Sequence, residues 1–209
     1  MNRKKSKTRE YIESIIVAAL IALVVRSFVI QAYKIPSGSM EPTLLVGDHL
    51  LVNRMSYVVK MPFTDNVIAT TGKPRRGDII VFRYPEDPSK DYIKRVIATE
   101  GEKVEIKNRA IYINGKRIPD PWGHFRPDPG QRGFVPFVDK DNLSPVTVPK
   151  DSYFVMGDNR DNSLDSRYWG YVNKRHLVGK ALIIYFSWDG NAMSALNYIR
   201  WSRIGWLIR

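Results

Sequence analysis

The stretch YIESIIVAALIALVVRSFVIQA, Tyr11–Ala32, constrains this chain more than any other. As a helix, its 22 residues would rise about 33 Å, enough to cross a hydrocarbon core of about 30 Å. Ile15–Val25 carries no charge, and Glu13 lies near one end. Arg26 lies near the other, where its long stem can carry the guanidinium to the headgroups. A buried core helix would be unusual, because a segment apolar on every face needs a large protein around it. A cleavable secretory leader wants a shorter apolar stretch and a small-x-small site, and Ile30-Gln31-Ala32 offers only half of one. The expectation is a retained transmembrane helix over Tyr11–Ala32. Met1–Glu10, with five Lys/Arg, precedes it as a basic tail, which predicts the N-terminus inside and the bulk of the chain, 33–209, outside.

The remaining composition narrows the chemistry. With no cysteine among 209 residues, disulfides and cysteine-based zinc sites are excluded. His49, His124 and His176 lie far apart, without metal-ligand spacing. The net charge of +12 suits anionic lipid or nucleic acid. A nucleic-acid module would cluster its basic residues with stacking aromatics on one face.

Beyond the apolar segment the pattern turns to short strands. Asp48–Val59, Gly77–Pro85, Asp91–Thr99 and Leu177–Trp188 are apolar or alternating runs bounded by Gly, Pro and Asp. Asn114-Gly115 sits between alternating residues and predicts a tight hairpin, since both central positions of a type I′ turn need positive φ. Pro119–Pro149 is rich in turn residues and reads as a surface excursion or small lobe. The expected fold is mainly β: an antiparallel barrel or sandwich behind the membrane helix, with a small β accessory lobe over 104–150. The terminal Leu196–Arg209 mixes Trp201 and Trp206 with arginines, which suits either a membrane interface or a segment packed on the domain.

The segment IPSGSMEPT, Ile35–Thr43, raises the question of chemistry. A serine becomes a nucleophile only with a base, and no histidine has an obvious place near it. Lysine is the alternative partner. Lys94 lies in DYIKRVIAT, where the strand period puts Tyr92, Lys94 and Val96 on one face. Facing inward, its amine would lose solvent and its pKa would fall; facing outward, it would be an ordinary edge lysine. The spacing leaves both open.

SGSMEPTL after an apolar segment, DYIKRVIATEGEKV some way on, and GDNRDNSLDSRYWGYV at Gly157–Val172 resemble, in this order, the bacterial type I signal peptidases. The resemblance implies a membrane-anchored serine endopeptidase that removes signal peptides after Ala-x-Ala sites. It would sit once through the bacterial cytoplasmic (inner) membrane with its catalytic domain on the outer side. It implies Ser39 as nucleophile and Lys94 as general base. It implies Ser37, with the Ser39 N–H, as the oxyanion hole, Ser163 orienting the lysine, and Asp165 with Arg167 as a supporting pair. Tyr33, Ile35, Met40, Leu44, Asp91, Tyr92 and Ile93 would bind the substrate strand and its small side chains. Preproteins and membrane lipids are the implied partners, with no nucleic acid, metal or cofactor. Some members of the family, particularly from Gram-negative bacteria, carry two membrane segments where one is visible here, although Trp201–Trp206, WSRIGW, is similar to endings in that branch.

Overall fold

The structure is a computed structural model and describes residues 7–61, 67–126, 139–190, 192 and 198–209, with the side chains of 24–28 also outside the description. The Arg26 side chain, most of the basic tail and the middle of the Pro-rich excursion therefore lie outside the description.

The N-terminal helix α1 spans Lys7–Phe28. The predicted helix runs to Ala32, but Ile30–Lys34 forms a strand, β1, because its backbone pairs antiparallel with Asp48–Asn53, β2. Apolarity alone could not mark that boundary. The described apolar side chains of α1, including Ile12, Ile15, Ile16, Val17, Leu20, Ile21 and Leu23, are exposed, so over Lys7–Leu23 the helix buries no apolar face against the described chain. Among the described residues no helix is long and apolar enough to cross a membrane.

After β2 come β3 (Val58–Lys60), β4 (Val67–Thr70), β5 (Ile79–Arg83) and β6 (Asp91–Thr99). Next are β7 (Lys103–Lys107), β8 (Ala110–Ile113), β9 (Lys116–Arg117) and β10 (Leu143–Thr147). β11 (Ser152–Met156), the short helix α2 (Ser166–Trp169), β12 (Val172–Asn173) and β13 (Leu177–Ser187) complete the order. The main sheet is antiparallel with order β1-β2-β13-β5-β6-β11-β12. A second sheet, β10-β7-β8-β9, turns at Asn114 and Gly115, both at positive φ. β3 and β4 pair separately.

Strand β5, Ile-Ile-Val-Phe-Arg, shows why the main sheet is buried on both faces. Ile79 and Val81 join one core cluster with Met40, Leu44, Leu50 and Val52; Ile80 and Phe82 join another with Val96, Val155 and Leu177. Alternate residues point to opposite faces, so a strand apolar at both parities needs cover on both. The second sheet packs on the far ends of β6 and β11 through Ile97, Phe154, Val104 and Ile111.

The expected barrel is not closed: β1 and β12 remain edges of the main sheet among the described strands. The sheet curls instead. Four strand spacings separate β1 from β6, about 19 Å if flat. Yet the Tyr33 hydroxyl of β1 donates to Asp91 of β6 at 2.9 Å. Register shifts along β13, against both β2 and β5, supply the bending. The curl leaves a slot between two strand edges. β1 pairs on one side only, and β11 joins β6 only from Arg95 onward, so Asp91–Lys94 has a second edge outside the ladder.

Candidate active site

The chain leaves β1 into Ile35, buried and held by its N–H to Asp48 O (2.8 Å) and its carbonyl to Gly47 N–H (3.0 Å). Ser37 is extended (φ −135°, ψ 155°) and caps a single 3-10 turn, Gly38–Met40, without a side-chain cap bond. Met40 and Leu44 are fully buried in the core, which pins the turn from beneath and leaves Ser39 partly exposed between them. Ser37 is exposed on the approach.

Lys94 comes from β6, opposite Ile80 of β5. It stays on the face of Tyr92, its nitrogen 5.5 Å from that ring's centroid, as the strand period predicts. Its side chain is only 4% exposed, and Nζ donates to Ser39 Oγ at 2.7 Å. Burial pushes its pKa down to about 8; Asp165 and Asp158 pull it back up, and Arg167 adds to the lowering. Desolvation wins because no carboxylate bonds the amine directly. Such a pair can transfer a proton from hydroxyl to amine, which is how a serine is made nucleophilic.

The polar motif after β11 braces the turn. Asp158 and Arg95, neighbour of Lys94, are both fully buried and joined by two bonds of 2.7 and 2.8 Å. Thr43 Oγ1 donates to the same Asp158 carboxylate at 2.6 Å, tying the Ser37–Thr43 segment to it. The Asn159 N–H reaches Ser39 O (3.1 Å), and its side-chain amide reaches Gly38 O (3.0 Å). Arg160 is buried and bonded to Asp120 through both terminal nitrogens. Gly157 has to be glycine: a Cβ there would overlap Ser163 Oγ and the Ser39 carbonyl oxygen.

Asp165 caps α2 and accepts from Gly157 N–H at 3.0 Å and from Arg167 at 2.9 Å through two nitrogens. Burial alone would raise its pKa, but the Arg167 guanidinium and these bonds hold the carboxyl below its ordinary value. Arg167 also donates to Arg160 O at 2.7 Å, so the pair ties both ends of residues 157–160. Ser163 is buried against Gly157 and Ser39, and its hydroxyl faces the Asp165 carboxylate, whose pKa it helps to lower; the expected bond to Lys94 is not made in this structure.

Of the expected substrate-binding residues, Ile35, Met40 and Leu44 are closed core, while Tyr33, Asp91, Tyr92 and Ile93 line the accessible side of the slot. The histidines have other engagements. His49 Nδ1 faces Gly47 O (3.1 Å), His124 Nδ1 faces Trp122 O (2.8 Å), and His176 sits beside Arg175. Among the described residues no group of His, Asp and Glu is placed to hold a metal ion. The sequence reads Asp158–Asn162 together as a turn whose packed side chains could brace a neighbouring strand, but gives no individual role to Asp158, Asn159 or Arg160, and none to Arg95 or Asp120. The available signal was Arg95 beside the apolar run Val96–Ala98 of a strand, which if buried demands an anion elsewhere in the chain.

Residues 8–188 match the family model described as signal peptidase, peptidase S26. Signal peptidase I of Pseudomonas aeruginosa is 38% identical, over 94% of this chain and 78% of its own length. Signal peptidase I P of Bacillus subtilis subsp. natto is 34% identical, over 90% of this chain and 94% of its own. A crystal structure of a signal peptidase I from Enterococcus faecalis is 32% identical, covering 52% of this chain and 96% of that one, with a TM-score of 0.40. The chain therefore belongs to the signal peptidase family, peptidase S26, and with it to the serine endopeptidases.

Proposed function

We propose that this protein removes N-terminal signal peptides from exported preproteins, with Ser39 as nucleophile and Lys94 as its base. The observation that carries the reading is the 2.7 Å bond between a buried, pKa-depressed amine and a part-exposed serine hydroxyl. With a pKa near 8, about a tenth of Lys94 is neutral at pH 7. Neutral Lys94 takes the Ser39 proton as Oγ attacks the scissile carbonyl. The oxyanion forms against the Ser39 N–H and the Ser37 hydroxyl, which makes no cap bond and faces the approach. Lys94 then gives its proton to the leaving amine and deprotonates the water that hydrolyses the acyl-enzyme. The buried Ser163 hydroxyl, close to Ser39 and facing Asp165, is the group that would hold the Lys94 ammonium while it is off the serine.

The slot between β1 and β6 suits an added strand: two unpaired edges supply backbone donors and acceptors on either side. Tyr33, Tyr92 and Ile93 narrow it, which favours small residues such as alanine at the alternate positions pointing inward. Insertion of such a strand displaces the Tyr33–Asp91 bond. The exposed apolar surface of α1 and the 22-residue run that contains it support a membrane anchor, N-terminus inside. The reading is tested by incubating a preprotein bearing an Ala-x-Ala site with wild type, Ser39→Ala and Lys94→Ala in detergent micelles. Sequencing the new N-terminus should place the cut after the second alanine, with both variants folded and inactive. Cutting elsewhere, or by folded Ser39→Ala, would refute it.

A further inference from the structure

We infer that Asn159 is a positioning residue for the oxyanion hole: its side-chain amide holds the Gly38 carbonyl and so aims the Ser39 N–H at the developing negative charge. This rests on Ser39 being the nucleophile. The peptide unit between Gly38 and Ser39 is planar, so the direction of the carbonyl fixes that of the N–H on its far side. That N–H belongs to the first residues of a 3-10 turn, which have no partner within the turn. Nothing in the turn itself fixes the plane firmly. Gly38 is the residue with the most backbone freedom, and within the turn its carbonyl accepts a single bond, 3.1 Å from Glu41 N–H. The second bond, 3.0 Å from Asn159 Nδ2, comes from outside.

Asn159 is built to hold still. Its own N–H takes the Ser39 carbonyl, so it grips the peptide units on both sides of the nucleophile. Its neighbours are Asp158, locked to Arg95, and Arg160, locked to Asp120. The amide orientation follows from its partner, because a carbonyl only accepts and the NH2 must face it. The other amide atom, Oδ1, is buried without a hydrogen-bond partner. An unpaired buried acceptor is destabilising, so stability alone does not call for asparagine here; a donor aimed at Gly38 does.

The test is Asn159→Ala, which keeps the main-chain bond to Ser39 O and removes only the amide. On preprotein cleavage we expect kcat to fall about ten- to a hundredfold with KM nearly unchanged, the scale of a misplaced oxyanion donor. A peptide aldehyde, whose carbonyl carbon bonds Ser39 Oγ while its oxygen enters the hole, should bind the variant weaker by a similar factor. An uncleavable peptide of the same sequence should bind both proteins alike, and the limb over which the rate rises with pH should not move. Unchanged kcat, equal weakening of aldehyde and uncleavable peptide, or a shifted limb would each overturn the proposal. If Asn159→Ala unfolds, isosteric Asn159→Asp also lacks the donor, and a wild-type rate in it would overturn the proposal as well. A wild type that forms no adduct at Ser39 overturns the proposal together with the reading beneath it.

Discussion

Lys94 shows how one residue joins stability to chemistry. An amine titrating near 8 rather than at its ordinary 10.5 means that the folded protein penalises the charged form by roughly 3 kcal/mol. The sign follows from proton binding. Below about pH 8 both folded and unfolded chains carry the proton and the penalty is complete. Between about 8 and 10.5 the unfolded chain binds more protons, so stability rises with pH. Lys94→Met should therefore be inactive yet more stable than wild type at pH 7, by about 2 kcal/mol after loss of the Ser39 bond. Its advantage should vanish toward pH 10.5, as thermal unfolding across pH would record. A variant less stable than wild type at pH 7 would contradict the burial argument. The strand period placed Lys94 with Tyr92 from sequence alone, but not its burial. That depends on Ser39, Asp158 and Asp165, which lie far off in the chain. Asn159 was less legible still: Asp-Asn-Arg-Asp-Asn reads as a turn whose packed side chains could brace a neighbouring strand, but which peptide Asn159 grips depends on long-range partners.

At the scale of elements, the C-terminal segment works as a clamp on the loop that follows Ser39. The 3-10 turn Trp201–Arg203 presents Arg203 to the buried carboxylate of Asp48, at 2.6 and 3.0 Å, and to Thr43 O at 2.8 Å. Ile208 is buried in the core beside Ile35 and Met40, and the Arg209 carbonyl accepts from Arg95 at 3.1 Å. The sequence left this segment open between membrane contact and packing. Its backbone and arginines pack on the domain, while Trp201 and Trp206 stay exposed. Arg203→Ala leaves Asp48 with Ser187 and the Leu45 N–H but no cation, and should cost about 2–4 kcal/mol in urea unfolding. Activity should fall with it, since Thr43 loosens. A loss below about 1 kcal/mol would show that the clamp is ornamental. Strand existence was readable from alternation and turn residues, Asp91–Thr99 to the residue. The end of α1 at Phe28 was not, because Ile30–Ala32 is as apolar in a strand as in a helix.

For the whole molecule, the distance from α1, the proposed anchor, to the proposed nucleophile is short. One residue, Val29, separates α1 from β1, and Ser37–Ser39 follows β1 almost directly. A substrate whose cleavage site emerges at the membrane surface would meet a nucleophile held near that plane. A rigid helical spacer inserted at Val29 should therefore reduce cleavage of membrane-inserted preproteins several-fold more than cleavage of short soluble peptides. Equal losses on both substrates would refute the tethering idea. The mainly β class followed from sequence patterning, but the curl that opens a slot between β1 and β6 did not. It arises from register shifts in β13, which no local pattern marks.

The central claim is that the amine of Lys94 activates Ser39, and the pH dependence of kcat/KM for preprotein cleavage tests it most directly. In the free enzyme the active form is neutral Lys94, so the rate should climb about tenfold per pH unit below the limb and level off above a midpoint near 8. A rate flat from pH 5 to 9, or a midpoint in the ordinary histidine range, would mean that another group is the base.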